Sequence, residues 1–130
     1  MPKDLYAIAK EFFKKAERLP EGQRALEARD ETYQFEIKDD DPFYVKIKDG
    51  KMDIIKGTTD VDNILGVTPI RSDQKSLKSI FEGKLRPYQA IEQKKLSIVA
   101  GTYEGSQITL LMRIAQDKLT LELVQKFTWD

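Results

Sequence analysis

The sequence contains no cysteine and no histidine. The first absence removes thiolate nucleophiles, Cys-ligated zinc and any disulfide scaffold. The second removes the side chain that most often serves as general base or metal ligand near neutral pH. An excess of one charge sign is missing as well: 22 Lys+Arg balance 22 Asp+Glu, for a formal net charge of +0. Nucleic-acid-binding domains carry a basic footprint that this chain lacks, so no nucleic-acid partner is expected. No apolar run approaches the ~20 residues of a membrane-spanning helix. The opening Met1-Pro2-Lys3-Asp4, followed by Lys10, Glu11, Lys14 and Lys15, does not read as a signal peptide. A soluble cytoplasmic protein is the expectation.

What is present describes an ordinary globular chain. Its 130 residues are 40% hydrophobic and 34% charged, which suits a single domain over residues 1–130 with one core. Leu5, Ile8, Ala9, Phe12, Phe13, Ala16 and Leu19 recur at helical spacing. They predict an amphipathic helix with Lys10, Lys14 and Arg18 on its wet side. Pro20 and Gly22 are read as its stop, and a shorter helix is predicted from Gln23 to Asp30.

The period then changes to two. Tyr33, Phe35 and Ile37 alternate with polar residues, as do Phe43, Val45 and Ile47, and Met52 and Ile54 follow Asp49-Gly50. Alternation predicts half-buried strands, and Asp-Gly between two such runs predicts a tight hairpin. A fourth strand is read near Asn63 to Thr68, ended by Pro69. Ser72 and Asp73 suit a helix start before Leu77, Ile80 and Phe81, and Gly83 suits its end. Pro87 suits the first turn of a helix carrying Tyr88, Ala90 and Ile91, and Leu96 to Val99 read as a fifth strand. From Gln107 onward the pattern is divided. Ile108, Leu111, Met112 and Ala115 fit a helix, whereas Leu119, Leu121 and Leu123 alternate like a strand.

Motifs for chemistry are missing. There is no G-x-G-x-x-G, no phosphate-binding loop and no nucleophile elbow, so no catalytic residue, cofactor or metal is assigned. Asp39-Asp40-Asp41 reads as a solvated turn before Pro42. Asp60-Val61-Asp62-Asn63 begins like a calcium loop, but Ile64 falls where the third oxygen ligand belongs. Glu11, Glu17 and Glu92 read as helix-surface charges. Phe12, Phe13, Phe81, Tyr88 and Trp129 read as core, since no basic groove accompanies them as a base-stacking platform requires.

The stretch from Tyr33 to Gly101 resembles the sterol carrier protein 2 domain family. The resemblance lies in the order of Phe35, Phe43 to Ile47, Asp49-Gly50, Gly57, Asn63 to Val67 and Leu77 to Phe81. It continues through Gly83-Lys84-Leu85-Arg86-Pro87-Tyr88-Gln89-Ala90, its most specific piece, then Lys95-Leu96-Ser97-Ile98 and Gly101. Lys94 departs from the family, which usually has a small residue before the Lys-Leu strand. The resemblance implies an α+β fold: a five-stranded, mostly antiparallel sheet with helices packed on one face. It also implies a helical C-terminal segment and an apolar cavity between sheet and helices. Such cavities accept fatty acids, acyl-CoA, sterols or phospholipids, without catalysis. On that basis Phe81, Leu85, Tyr88, Ile91, Leu110, Leu111 and Ile114 are the expected lining, with Gln107 or Arg113 at a polar head. Each buried methylene would contribute about 0.8 kcal/mol. The family also implies partners other than a lipid-like ligand: a transient membrane contact, a homodimer, or a lipid- or quinone-related enzyme system for which the domain is an accessory module.

Overall fold

The computed structural model describes residues 4–27, 29–59, 67–98 and 102–117, with side chains of the last helix from 108 to 116. Helix α1 (Leu5–Arg18) starts where the Asp4 side chain accepts a hydrogen bond from the Ala7 amide, and it buries Leu5, Ala9, Phe12, Phe13 and Ala16. Helix α2 (Pro20–Leu26) follows almost directly. The helix expected over Gln23 to Asp30 is thus corrected: Pro20 ends α1 but also opens α2, because its fixed φ suits a first helical position. Gly22 is there for contact rather than termination. A Cβ on it would lie 1.6 Å from the Ala16 carbonyl oxygen, so α2 can fold back on α1 only over a glycine.

Strands β1 (Asp30–Ile37), β2 (Phe43–Lys48), β3 (Lys51–Lys56), β4 (Val67–Ser72) and β5 (Ser97–Ile98) form one sheet in the order β3-β2-β1-β4-β5. The pairings are antiparallel except β1 with β4, which is parallel. β2 and β3 are joined by Asp49 and Gly50, both at positive φ (54° and 76°), the conformation a two-residue hairpin requires. Pro69 does not end a strand as the sequence suggested. It sits within β4 opposite Gln34. Among the described residues β5 pairs with Ile70 and Arg71, and a proline is tolerated in a strand where its missing N–H takes no ladder bond. The predicted residues Asn63 to Gly66 and Val99 lie outside the described residues.

Helices α3 (Gln74–Phe81), α4 (Pro87–Glu92) and α5 (Thr102–Asp117) complete the chain. Asp73 caps α3 through the Ser76 amide, and Asp39 accepts from the Gln74 amide, so the acidic turn before Pro42 pins the same helix start. α1 packs on α2, α3, α5 and strand β3. Its polar side chains also do more than face water. The Tyr6 hydroxyl donates to the Ile54 carbonyl at 2.8 Å, the Glu17 carboxylate accepts from the Met52 amide at 2.7 Å, and Lys14 bonds the Met52 carbonyl. These bonds cover the free edge of β3, a template for unwanted strand pairing if left open. Lys14 and Glu17, read above as solvated charges, are therefore structural.

The opposite sheet face holds a second departure from simple alternation. Gln34 points away from the core yet is 6% exposed. Its amide donates to the carbonyls of Phe43 and Gly57 and accepts from the Thr59 amide. The chain leaving β3 folds over this face and is tied there by one side chain.

Candidate functional site

The aromatic residues of the core form a continuous run from the sheet to the surface. Phe43 and Phe35, on neighbouring strands, stack at 4.7 Å between centroids. Phe13 of α1 lies 5.9 Å from Phe35 and 5.9 Å from Phe81 of α3. Phe12 then meets Phe81 at 4.9 Å. Tilted and edge-on pairs of this kind add about 0.5–1.5 kcal/mol each beyond their buried area. At its outer end the run reaches a hollow.

That hollow, of about 260 Å³, lies among α1, α3 and α5 and is lined by Ile8, Glu11, Phe12, Lys15, Phe81, Glu82, Gly83, Ala115 and Gln116. Phe12 and Phe81, 6% and 8% exposed, form its floor. Ile8, Glu11, Phe12 and Lys15 come from one face of α1, at the i, i+3, i+4, i+7 spacing. Two larger depressions, of about 380 and 460 Å³, lie elsewhere: Asp4, Leu5, Tyr6, Asp40, Asp41, Pro42, Lys56 and Gly57 line one, and Glu27, Arg29, Asp30, Lys48, Asp49 and Gly50 line the other. Tyr6, edge-on to Phe43 at 6.3 Å, brings the aromatic run to the wall of the first, and the second has no aromatic wall. The smallest of the three is the one with two phenylalanine rings at its base, the kind of surface an apolar ligand requires.

The rim of the hollow is fixed by backbone devices that the Gly83 to Ala90 motif encodes. Gly83 has φ +78°, and its amide bonds the Ile80 carbonyl while that of Lys84 bonds Ser79 at 2.8 Å, closing α3 with a left-handed residue. Pro87 then opens α4, with Gln89 returning its side-chain oxygen to the Arg86 amide. Gln116 of α5 locks this turn: its Nε2 donates to the carbonyls of Ile80 and Leu85, at 2.8 and 2.7 Å. On the other wall the Lys15 ammonium donates to the Ala115 carbonyl at 3.0 Å, in the last turn of α5.

The residues expected to line a cavity are divided among three environments. Phe81 lies at the hollow, Leu111 and Ile114 are buried in the core, and Leu85 is half-buried against it. Tyr88, Ile91 and Leu110, expected to face the sheet, instead point outward and are 56%, 38% and 43% exposed. The reason is the helical register. α4 turns Pro87 and Ala90 inward, and α5 turns in Ile108, Leu111, Met112 and Ala115. Arg113 is exposed on α5, and the side chain of Gln107 lies outside the described residues, as do Trp129 and the Asp60 to Ile64 stretch. Sequence reasoning did not single out Ile8, Lys15 or Gln116. Among the described residues no group of three or more acidic side chains is placed to hold a metal ion, and no helix is long and apolar enough to cross a membrane.

Comparison with solved structures supports the fold. A structure titled "Crystal structure of sterol carrier protein 2" matches with a TM-score of 0.59 at 16% identity, covering 85% of this chain and 95% of its own. The sterol carrier protein domain 2 of Helicoverpa armigera matches at 0.64 with 18% identity over 87% of this chain and 91% of that one. A "UbiJ-SCP2 Ubiquinone synthesis protein" matches at 0.65 with 13% identity, covering 85% and 94%. No curated protein sequence matches the chain. The model of the SCP-2 sterol transfer family matches residues 11–99, from the hollow-lining face of α1 through β5. The chain belongs to the SCP-2 sterol transfer family.

Proposed function

We propose that the protein is a non-catalytic binder of lipid-like molecules, with the hollow among α1, α3 and α5 as the entrance and the aromatic run beneath it as the path of the tail. The observation that carries this is the floor. Phe12 and Phe81 are large apolar rings at the base of an open depression, packed on each other and on Phe13 rather than sealed under a further layer. Binding sites for small ligands commonly occupy ~300–1,000 Å³. The hollow, at about 260 Å³, is sized for a head group and the first methylenes. A longer tail enters if the Phe12 and Phe81 side chains rotate aside, toward Leu85, Leu111 and Ile114. Phe81, as the movable ring at the entrance, and Leu85, Leu111 and Ile114 beyond it are the tail contacts we propose, and a dozen methylenes at about 0.8 kcal/mol each would outweigh the ordering of the ligand.

Equilibration of purified protein with a fluorescent long-chain fatty acid, followed by native mass spectrometry, tests the reading. One bound ligand per chain is the expected result. An unchanged bare mass together with unchanged fluorescence would remove it. A second reading, an accessory module in quinone-related biosynthesis, draws on the similarity to the ubiquinone synthesis protein. It predicts retention by such an enzyme system irrespective of whether the hollow is filled.

A further inference from the structure

We infer that Lys15 selects the ligand's head group, so that the hollow prefers a single-chain carboxylate to an uncharged alcohol or sterol and to a phosphate-headed lipid. The inference rests on the lipid-binding reading above and adds the chemical class. Lys15 is half-buried on the α1 face that lines the hollow, one turn beyond Phe12. Its stem therefore runs beside the apolar floor while its ammonium reaches the rim, the usual division of a lysine side chain between apolar and polar surroundings.

At rest the ammonium donates to the Ala115 carbonyl at 3.0 Å. There the charged donor meets a neutral backbone acceptor. The bond is replaceable. An ammonium has three donors, and a carboxylate adds the attraction of a full negative charge that a backbone carbonyl lacks. A carboxylate entering head-last, with its tail on Phe12 and Phe81, would meet Lys15 without a change in the helix that carries it.

The other charges at the rim set an upper limit on the head group. Glu11 and Glu82 line the same hollow. Glu82 lies 3.4 Å from Lys84, which neutralises it in part, and Glu11 is exposed. With one lysine facing two carboxylates, each added negative charge is repelled by Glu11 and Glu82, so a phosphate dianion or a coenzyme thioester is disfavoured against a monoanion. An uncharged hydroxyl, in turn, gives Lys15 nothing better than the carbonyl it already holds.

Three probes with the same sixteen-carbon chain separate these outcomes: palmitate, 1-hexadecanol and hexadecyl phosphate, titrated by displacement of a fluorescent fatty acid. The wild type is expected to bind palmitate about tenfold or more tighter than hexadecanol, the ratio that one charge-assisted hydrogen bond supports. Lys15→Met should bring the two within about twofold, with an unchanged thermal unfolding midpoint reporting an intact fold. Lys15→Arg should keep the preference. Retention of the palmitate preference in Lys15→Met, or tighter binding of hexadecyl phosphate than palmitate to the wild type, would overturn the assignment to Lys15 and leave lipid binding standing. Failure of all three probes to bind the wild type would overturn both.

Discussion

The two ends of the aromatic run use the same side chain for different purposes. At the sheet, Phe35 and Phe43 stack nearly parallel with an interplanar angle of 16°, 0% and 1% exposed, each fixed by a strand on either side. At the hollow, Phe12 and Phe81 belong to two separate helices and one edge of the pair borders open space. A ring packed on every side has no room to change rotamer, whereas a ring at a rim can. The inner pair therefore serves stability and the outer pair access.

Truncation at each end should separate the two roles. Phe35→Ala is expected to lower stability by about 3–5 kcal/mol, the range for an emptied aromatic site in a packed core, and to leave fatty-acid uptake no better than wild type in the fraction that folds. Phe81→Ala should cost less, about 2–3 kcal/mol, because the space it vacates opens onto the hollow and does not remain an enclosed void. It should also increase uptake of a fluorescent fatty acid. Urea unfolding and ligand titration on the same samples read both effects. Equal stability losses with unchanged uptake in both variants would erase the distinction between inner and outer rings.

The rim itself can be loosened without touching an aromatic ring. Gln116→Leu keeps the side-chain volume but leaves the carbonyls of Ile80 and Leu85 without their donors, a change of about 2 kcal/mol for partly buried acceptors. The consequence should be local. Amide exchange at Lys84 and Leu85, both of which bond the Ser79 carbonyl, is expected to accelerate, while the amides of β1 and β2 stay protected. Uniform acceleration across the sheet would mean that the turn and the core open together.

The same comparison shows what the residues alone could reveal. Strand faces, the Asp49-Gly50 hairpin, the Asp73 cap and the Pro87 start all follow from local period and turn chemistry, and the structure places them so. The rim was partly legible: Ile8, Phe12 and Lys15 share one helix face, and a lysine closing an apolar stripe is visible by spacing. Its meaning was not, because the partner is a carbonyl of a helix 100 residues away. Gln34, Lys14 and Glu17 were hidden for a related reason. Each is a polar residue at a position where alternation or helical period calls for solvent, and only the arrival of a distant segment turns it into an anchor. Pro69 misled because a proline inside a strand is excluded only where its N–H would have to join the ladder, and that orientation is not written in the residue itself.

The smallest expected effect concerns the one departure from the family pattern that the backbone explains. Lys94 has φ +60°, just past the end of α4, where its amide bonds the Ile91 carbonyl and that of Lys95 bonds Ala90 at 2.8 Å. This is the position at which helices commonly end in a left-handed residue, and glycine occupies it most readily because it has no Cβ to crowd the carbonyl. A small residue there in related domains has that physical basis. Lys94 is exposed, so its side chain offers little to offset the strain. Lys94→Gly is expected to raise stability by about 0.5–1 kcal/mol, the residual gain after the greater freedom of glycine in the unfolded chain is set against the relieved backbone. Thermal unfolding would show an increase of a few degrees, with lipid binding unchanged because α4 lies outside the hollow. A loss of stability instead would mean that the Lys94 side chain holds a contact worth more than the strain, and the turn after α4 would then belong with the fixed inner end of the molecule and not with its rim.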